Sequence, residues 1–327
     1  MRRFTWHGGG LEAAKARFGE DGLPWIDLST GINPHGWPVP HDLPIDWRRL
    51  PGNAALAGLE RAAAAHFGVD AAHVCALPGT EAGLRLAGLL LPEPARYLTP
   101  CYRSHGEAFA VATPVARAEW AGLEPGTTLL ANPNNPDGDI LPRARLVDAL
   151  AAGDPDRWLL VDEAFADPDP SASIASWVSD ERPLALLRSF GKFFGLAGVR
   201  LGFLIAPRLL VERFRARLGA WPVSAAAIAI GTAAYRDRAW IAETRERLHG
   251  RALALDIVLR RAGLAPLGEC PLFRLIEVAD GGALFERLAA RHHILTRPFE
   301  ERPGWLRIGL PEGEADFRRL ERALADG

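Results

Sequence analysis

Lys192 lies in Leu187-Arg-Ser-Phe-Gly-Lys-Phe-Phe-Gly-Leu-Ala-Gly-Val-Arg-Leu-Gly-Phe203, a run of glycines and small residues, and the only other lysine among the 38 basic side chains is Lys15. Arginine stays protonated and cannot act as a nucleophile, whereas a partly buried lysine can lose its proton and condense with a carbonyl. A lysine kept here, in a chain that otherwise uses arginine, points to a need for an amine. Further along the run, Arg200 is a fixed cation whose planar fork suits a phosphate, and Ser189 offers a hydroxyl. Asp162 ends the apolar stretch Trp158-Leu-Leu-Val-Asp162, where a carboxylate in low dielectric holds a partner's proton strongly. Each residue alone has a plainer use: the lysine solvated on a loop, the aspartate capping the segment that follows.

Such groups need a scaffold that gathers them. The stretches His73–Leu77, Arg96–Thr99, Ala112–Arg117, Thr127–Ala131, Trp158–Asp162, Leu184–Leu187 and Leu201–Ile205 read as short strands. They alternate with helical runs over Ala54–Phe67, Ala82–Leu91 and Ala144–Ala152. Short apolar strands separated by helices indicate a parallel sheet covered on both faces, and ligands of such sheets collect at the carboxyl ends of the strands. Thr80, Tyr102, Asn135, Asp162 and Lys192 all fall at or just past those ends, so one crevice can gather them. The turn Pro78-Gly-Thr-Glu81 leads from a strand into a helix and leaves backbone N–H groups for an anion, although many α/β turns look the same.

Glycine and proline density in residues 1–40 argues for an arm or loop rather than a packed layer. After Pro207 the chain turns helical and arginine-rich, over Leu209–Leu218, Ala225–Tyr235 and Trp240–Ala262. Phe273–Val278, Ala283–Arg291, Trp305–Gly309 and Glu314–Ala325 then read as a smaller α/β unit. The expected division is an N-terminal arm packing with the small domain (1–40), a large domain (41–208) and a small C-terminal domain (209–327).

Bulk properties exclude some classes. At 327 residues with 48% hydrophobic and 24% charged content, the chain has the composition of an ordinary globular protein. A net charge of −2, with the arginines scattered, gives no nucleic-acid footprint. The longest apolar runs are too short or too interrupted to span a bilayer, and Arg2 and Arg3 precede no apolar signal region, so cytoplasmic is the expectation. Cys75, Cys101 and Cys270 lack metal-ligand spacing and read as buried thiols; no metal is expected.

The series Asn-Pro-Asp-Gly138, Asp162-Glu-Ala-Phe165, Ser189-Phe-Gly-Lys192 and then Arg200 resembles the motif series of the class I/II aminotransferase superfamily, over roughly the whole chain. The resemblance implies an α/β fold of the PLP-dependent transferase kind (aspartate aminotransferase-like, fold type I), with a mainly parallel sheet in the large domain plus a smaller α/β domain. It also implies pyridoxal 5'-phosphate, whose demands match residues in turn. Lys192 would take the aldehyde and Asp162 would keep the pyridine nitrogen protonated. The Gly79–Thr80–Glu81 turn, with the Glu81 carboxylate turned away, the Ser189 hydroxyl and Arg200 would hold the phosphate. Tyr102 would cover a ring face and Asn135 would donate to the ring oxygen, though Tyr102 as core and Asn135 as turn chemistry are the plainer readings of each alone.

Within the superfamily, His7-Gly-Gly, Asp27-Leu-Ser-Thr-Gly-Ile-Asn-Pro34 and Asp162-Glu-Ala-Phe165 most resemble the threonine-phosphate decarboxylases, with histidinol-phosphate aminotransferases as near relatives. Those aminotransferases usually carry tyrosine where this chain has Phe165. Two further departures are Leu50, where relatives have a tyrosine reaching the partner subunit, and Gly191, where the second hydroxyl of the lysine motif is missing. The resemblance places a substrate carboxylate on Arg307 and the phosphate of a phosphorylated amino acid on His7, Gly8 and Arg297, the last equally readable as a surface residue. Gly31 stands where relatives carry asparagine. A homodimer is implied. Three functions stay open: a decarboxylase, an aminotransferase of the histidinol-phosphate type, and a non-catalytic partner of a cobalamin-pathway enzyme.

Overall fold

The computed structural model describes residues 2–20, 22–151 and 154–326. By proximity of Cα atoms the chain falls into two compact units, one of residues Gly36–Asn135 and Ile140–Arg245, the other of Met1–His35, Pro136–Asp139 and Glu246–Gly327.

The first unit is built on a seven-stranded sheet in the order Val74–Leu77, Gly202–Ile205, Leu184–Ser189, Arg157–Asp162, Gly126–Ala131, Ala95–Thr99, Ala112–Ala116. Val74–Leu77, Gly202–Ile205, Leu184–Ser189 and Gly126–Ala131 are buried over their length, as expected of runs covered on both faces, and Arg157–Asp162 is buried over its middle. Gly202–Ile205 is antiparallel to both its neighbours, and the other pairings are parallel. Only the short 3₁₀ turn Ala197–Val199 and the four-residue helix Phe190–Phe193 separate Leu184–Ser189 from Gly202–Ile205. No room is left for the crossover that a parallel pair requires.

Helix Thr80–Leu90 lies close against this sheet: a Cβ on Gly83 would stand 2.5 Å from Leu77 Cδ1. Helix Asn53–Phe67 ends at Gly68, whose left-handed conformation (φ 70°) closes it. Helix Arg208–Leu218 buries Leu210, Val211 and Phe214 in the same cluster as Leu77, Leu84 and Leu204. The sheet unit therefore extends to Arg245, past the boundary expected near residue 208; the arginine-rich exposed faces hid these helices' apolar stripe. Helix Arg143–Leu150 stands where Ala144–Ala152 was expected; Ala152 lies outside the described residues.

The second unit has a three-stranded antiparallel sheet, Arg297–Pro298, Trp305–Gly309, Phe273–Glu277, and a two-stranded parallel pair, Ile26–Asp27 with Ile294–Leu295. The N-terminal stretch is packed rather than loose, because Phe4, Ile26 and Leu28 go inward while Trp6 and Leu23 stay exposed. Phe4 and Leu28 are buried, and the rings of Phe4, Phe18 and Phe285 meet with centroids 5.2 to 6.2 Å apart. Helix Glu314–Ala325 closes the unit on Phe317, Leu320, Ala323 and Leu324. The three cysteines are free thiols, Cys75 and Cys270 buried and Cys101 only half-buried. No described helix is long and apolar enough to cross a membrane.

Candidate functional site

In the sheet unit, a set of polar groups gathers at the ends of the three central strands and the turns beyond them. Asp162 is the last residue of its strand. Its Oδ1 accepts the Ala164 N–H at 3.0 Å and its Oδ2 lies 3.1 Å from His105 Nε2. The His105 side chain is fully buried, and an imidazole facing a carboxylate donates to it, which places the proton on Nε2. His105 stands in the 3₁₀ turn Arg103–His105, and the Tyr102 ring meets it edge-on at 5.8 Å. The sequence reading did not single out His105. Its place three residues past Tyr102, one 3₁₀ turn on, was the available signal.

The Tyr102 hydroxyl donates to Glu81 Oε2 at 3.3 Å. Burial, with the charges of Glu81 and Asp162 adding to it, raises the Tyr102 phenol above its ordinary range, so it remains a donor. The Glu81 carboxylate is held by Tyr102 and by Arg85 at 3.1 Å. Asn134 ties the neighbouring turns together, its Nδ2 donating to the Pro100 carbonyl at 2.9 Å, and half-buried Asn135 follows it.

A second group forms around the start of helix Thr80–Leu90. Gly79 precedes it at φ 90°, a conformation that favours glycine. A Cβ there would also stand 2.8 Å from Arg200 Nη2. Arg200 is itself left-handed (φ 56°), which aims its guanidinium at the turn. Ser189 pairs in register with Gly202, and a Cβ on Gly202 would meet the Thr80 amide nitrogen at 2.8 Å. Gly79, Thr80, Ser189 and Arg200 thus share one place, and the Ser189 hydroxyl is not spent on capping the helix it precedes.

Lys192 is half-buried in that helix, its Nζ 5.6 Å from the centroid of the buried Phe165 ring. Gly191 beside it leaves no space for a side chain, since a Cβ would stand 2.7 Å from Ala197 Cα. Leu50 is 65% exposed.

In the other unit, Arg297 and Arg307 are register partners on adjacent antiparallel strands. Arg307 is 4% exposed, donates from Nη2 to the Ser29 carbonyl at 2.9 Å and lies over the Phe273 ring at 4.9 Å. Burial first, and the Arg297 cation second, push its guanidinium down to about 9. A cation in that position gains much from an anionic partner. Arg297 donates to the Trp6 carbonyl at 3.0 Å. Gly8 presses on Ser29, whose carbonyl oxygen would stand 2.3 Å from a Gly8 Cβ, and the Gly9 N–H donates to Ser29 Oγ at 2.8 Å. Asp27 Oδ1 accepts from Ser29 Oγ at 2.6 Å, which fixes that hydroxyl. Gly31 is buried in the loop that follows, and His7 is exposed.

Comparison with known proteins sets these groups in context. The model of the family described as aminotransferase class I and II matches residues 45–323. The threonine-phosphate decarboxylase of a Sinorhizobium species is 40% identical over 98% of this chain and 97% of its own. The enzyme of the same name from Pseudomonas aeruginosa is 40% identical over 97% of this chain and 96% of its own. Among solved structures, histidinol-phosphate aminotransferase from Sinorhizobium meliloti in complex with pyridoxal-5'-phosphate superposes with a TM-score of 0.80 at 21% identity, over 97% of this chain and 94% of that one.

Proposed function

The chain belongs to the aminotransferase class I and II family, and from that premise we propose that it is a pyridoxal 5'-phosphate-dependent decarboxylase. Its substrate would be L-threonine O-3-phosphate, turned into (R)-1-amino-2-propanol O-phosphate and carbon dioxide in cobalamin biosynthesis. The observation that carries this reading is the 40% identity to threonine-phosphate decarboxylases over nearly the full length of both chains. Phe165 agrees with it, since it presents an apolar ring near Lys192 where the resembling aminotransferases have a hydroxyl.

The residues present fit the cofactor. The Gly79–Thr80 turn, which a Cβ would fill, and the Arg200 fork beside it make a phosphate cradle. Asp162, held by His105 and the Ala164 amide, would retain the proton of a pyridinium nitrogen. Tyr102 would cover a ring face, Asn135 would donate to the ring oxygen, and Lys192 would hold the cofactor by its aldehyde carbon. When bound, the cofactor supplies an electron sink for the pair left at Cα.

The rest falls to the chain's own side chains. Arg307, a buried cation, would hold the substrate carboxylate and so fix its orientation. His7, the Gly8 amide and Arg297 would take the substrate phosphate, in a loop where Gly31 gives no side-chain contact. Lys192 Nζ would return a proton to Cα once carbon dioxide has left. Work as a homodimer in the cytoplasm fits the free thiols and the exposed Trp47 and Leu50 at 76% and 65%.

The test is holoenzyme given O-phospho-L-threonine without any oxo acid, with carbon dioxide captured and the amine product identified. Accumulation of pyridoxamine phosphate at the rate of turnover would make the chain an aminotransferase instead. Turnover that survives Lys192→Ala would end the catalytic reading.

A further inference from the structure

Residues 163–167 form an irregular loop directly after the strand that ends at Asp162, and every one of them is buried. Buried backbone outside a helix or strand has to be held by other groups. The Glu163 N–H donates to the Leu187 carbonyl at 2.9 Å, and Arg245 Nε donates to the Asp167 carbonyl at 2.9 Å. One side chain reaches both ends. Arg188 donates from Nη1 to Glu163 Oε2 at 2.9 Å and from Nη2 to Asp167 Oδ1, so a single planar fork closes the loop.

The parts of that grip are themselves pinned. Glu163 Oε1 accepts the Ile174 N–H at 2.8 Å, and its Oε2 accepts the Ser173 hydroxyl at 2.6 Å. Asp167 Oδ1 lies 3.0 Å from His66 Nε2, and the Arg188 guanidinium stands 4.7 Å from the centre of the Phe67 ring. The side chains of both acids are wholly buried and that of Arg188 is 3% exposed. Taking three charges out of water is costly, so the cluster is better explained by the geometry it imposes than by stability it adds.

That geometry is read at the middle of the loop. Phe165 stands midway between the two acids, and the centre of its ring is 5.6 Å from Lys192 Nζ. Arg188 belongs to the strand Leu184–Ser189, and the helix Phe190–Phe193 that carries Lys192 follows that strand directly. Its backbone therefore leads into the amine's helix, while its side chain holds the loop that carries the ring.

We propose that Arg188 is a positioning residue, which fixes Phe165 against Lys192 by fastening the 163–167 loop to the strand that leads into the lysine helix. Through Phe165 it sets the apolar wall beside the point where the cofactor attaches. The inference rests on the cofactor reading above, and the experiment keeps the two apart.

The test compares holoenzyme of wild type, Phe165→Leu, Arg188→Lys and Glu163→Gln, the last two alone and each combined with Phe165→Leu. Visible circular dichroism of the bound cofactor should change in Arg188→Lys and, less strongly, in Glu163→Gln. That signal needs the cofactor but not turnover. Arg188→Lys should also lower kcat about tenfold, with KM for O-phospho-L-threonine within about twofold of wild type. In the Phe165→Leu background the same substitution should cost less than about twofold more, because the ring it positions is gone. Glu163→Gln, which keeps the size of its side chain, carries the same comparison where lysine at 188 prevents folding. A merely structural role would lower the melting temperature, leave the visible signal of folded holoenzyme unchanged and give kcat losses that multiply. Borohydride reduction reports the cofactor reading on its own: wild type left untagged at Lys192 overturns both claims. A tagged wild type, with the visible signal unchanged in both variants or with losses that multiply with that of Phe165→Leu, overturns this inference alone.

Discussion

His105 Nε2 lies 3.1 Å from Asp162 Oδ2, and the imidazole that makes this contact is wholly buried. The carboxylate at the strand end is therefore oriented by a side chain far from it in sequence. In His105→Gln the shorter-reaching amide takes the imidazole away from Asp162 Oδ2, and the Ala164 N–H still holds Oδ1. Losing a charge-assisted hydrogen bond of about 1.5–3 kcal/mol should cut turnover roughly ten- to a hundredfold. A shift in the cofactor's absorbance should accompany it, and a merely structural role for His105 would leave the spectrum unchanged.

On the opposite side of the same strand ends, Glu163 and Arg188 form a fully buried ion pair at 2.9 Å, and Arg188 also holds Asp167. Despite its burial, the charges and hydrogen bonds of Arg188 and His66 keep the Asp167 carboxyl well below the usual range. A depressed carboxyl contributes stability above its unfolded pKa and loses it as pH falls through the folded value. Unfolding measured against urea should thus show wild type weakening below about pH 4. Asp167→Asn leaves Arg188 short of a partner and should cost about 3–5 kcal/mol at neutral pH. Its acid limb should be flatter than that of wild type.

Arg307 is predicted to act on binding. Arg307→Gln should raise KM for O-phospho-L-threonine about a hundredfold or more, because a bidentate charged contact is lost, with a smaller change in kcat if the carboxylate is held equally throughout. Arg307→Lys should recover little of it, since a point charge does not replace a fork. Steady-state kinetics at fixed pH and salt decide this.

Restoring the absent hydroxyl of the lysine motif should fail. In Gly191→Ser the new Cβ would stand 2.7 Å from Ala197 Cα, so the loop beside Lys192 must move. We expect a loss of about 1–3 kcal/mol in stability and weaker cofactor retention, read by thermal melting and by absorbance after dialysis. Unchanged stability with tighter cofactor binding would show that the loop yields freely.

The strand ends at Asp162 and Ser189, and the turn that carries Lys192, were legible in the sequence because leucine-rich apolar runs lead into them. Gly79, Thr80 and Arg200 were legible as a glycine turn and a lone cation, and the structure adds that they meet. His105 was not, because its partner is 57 positions away and its place one 3₁₀ turn past Tyr102 is a weak local signal. The direction of Gly202–Ile205 could have been read from the short link before it. The seam at residue 245 could not, since the helices from Arg208 to Arg236 resemble in composition those of the smaller unit while packing on the sheet.

The central claim is that this chain breaks the bond between Cα and the carboxylate of threonine phosphate. Holoenzyme supplied with carboxyl-labelled O-phospho-L-threonine, and with no oxo acid, should release labelled carbon dioxide through many turnovers in step with 1-amino-2-propanol O-phosphate. Retention of the label in an oxo acid, with the cofactor left as pyridoxamine phosphate after a single turnover, would contradict it.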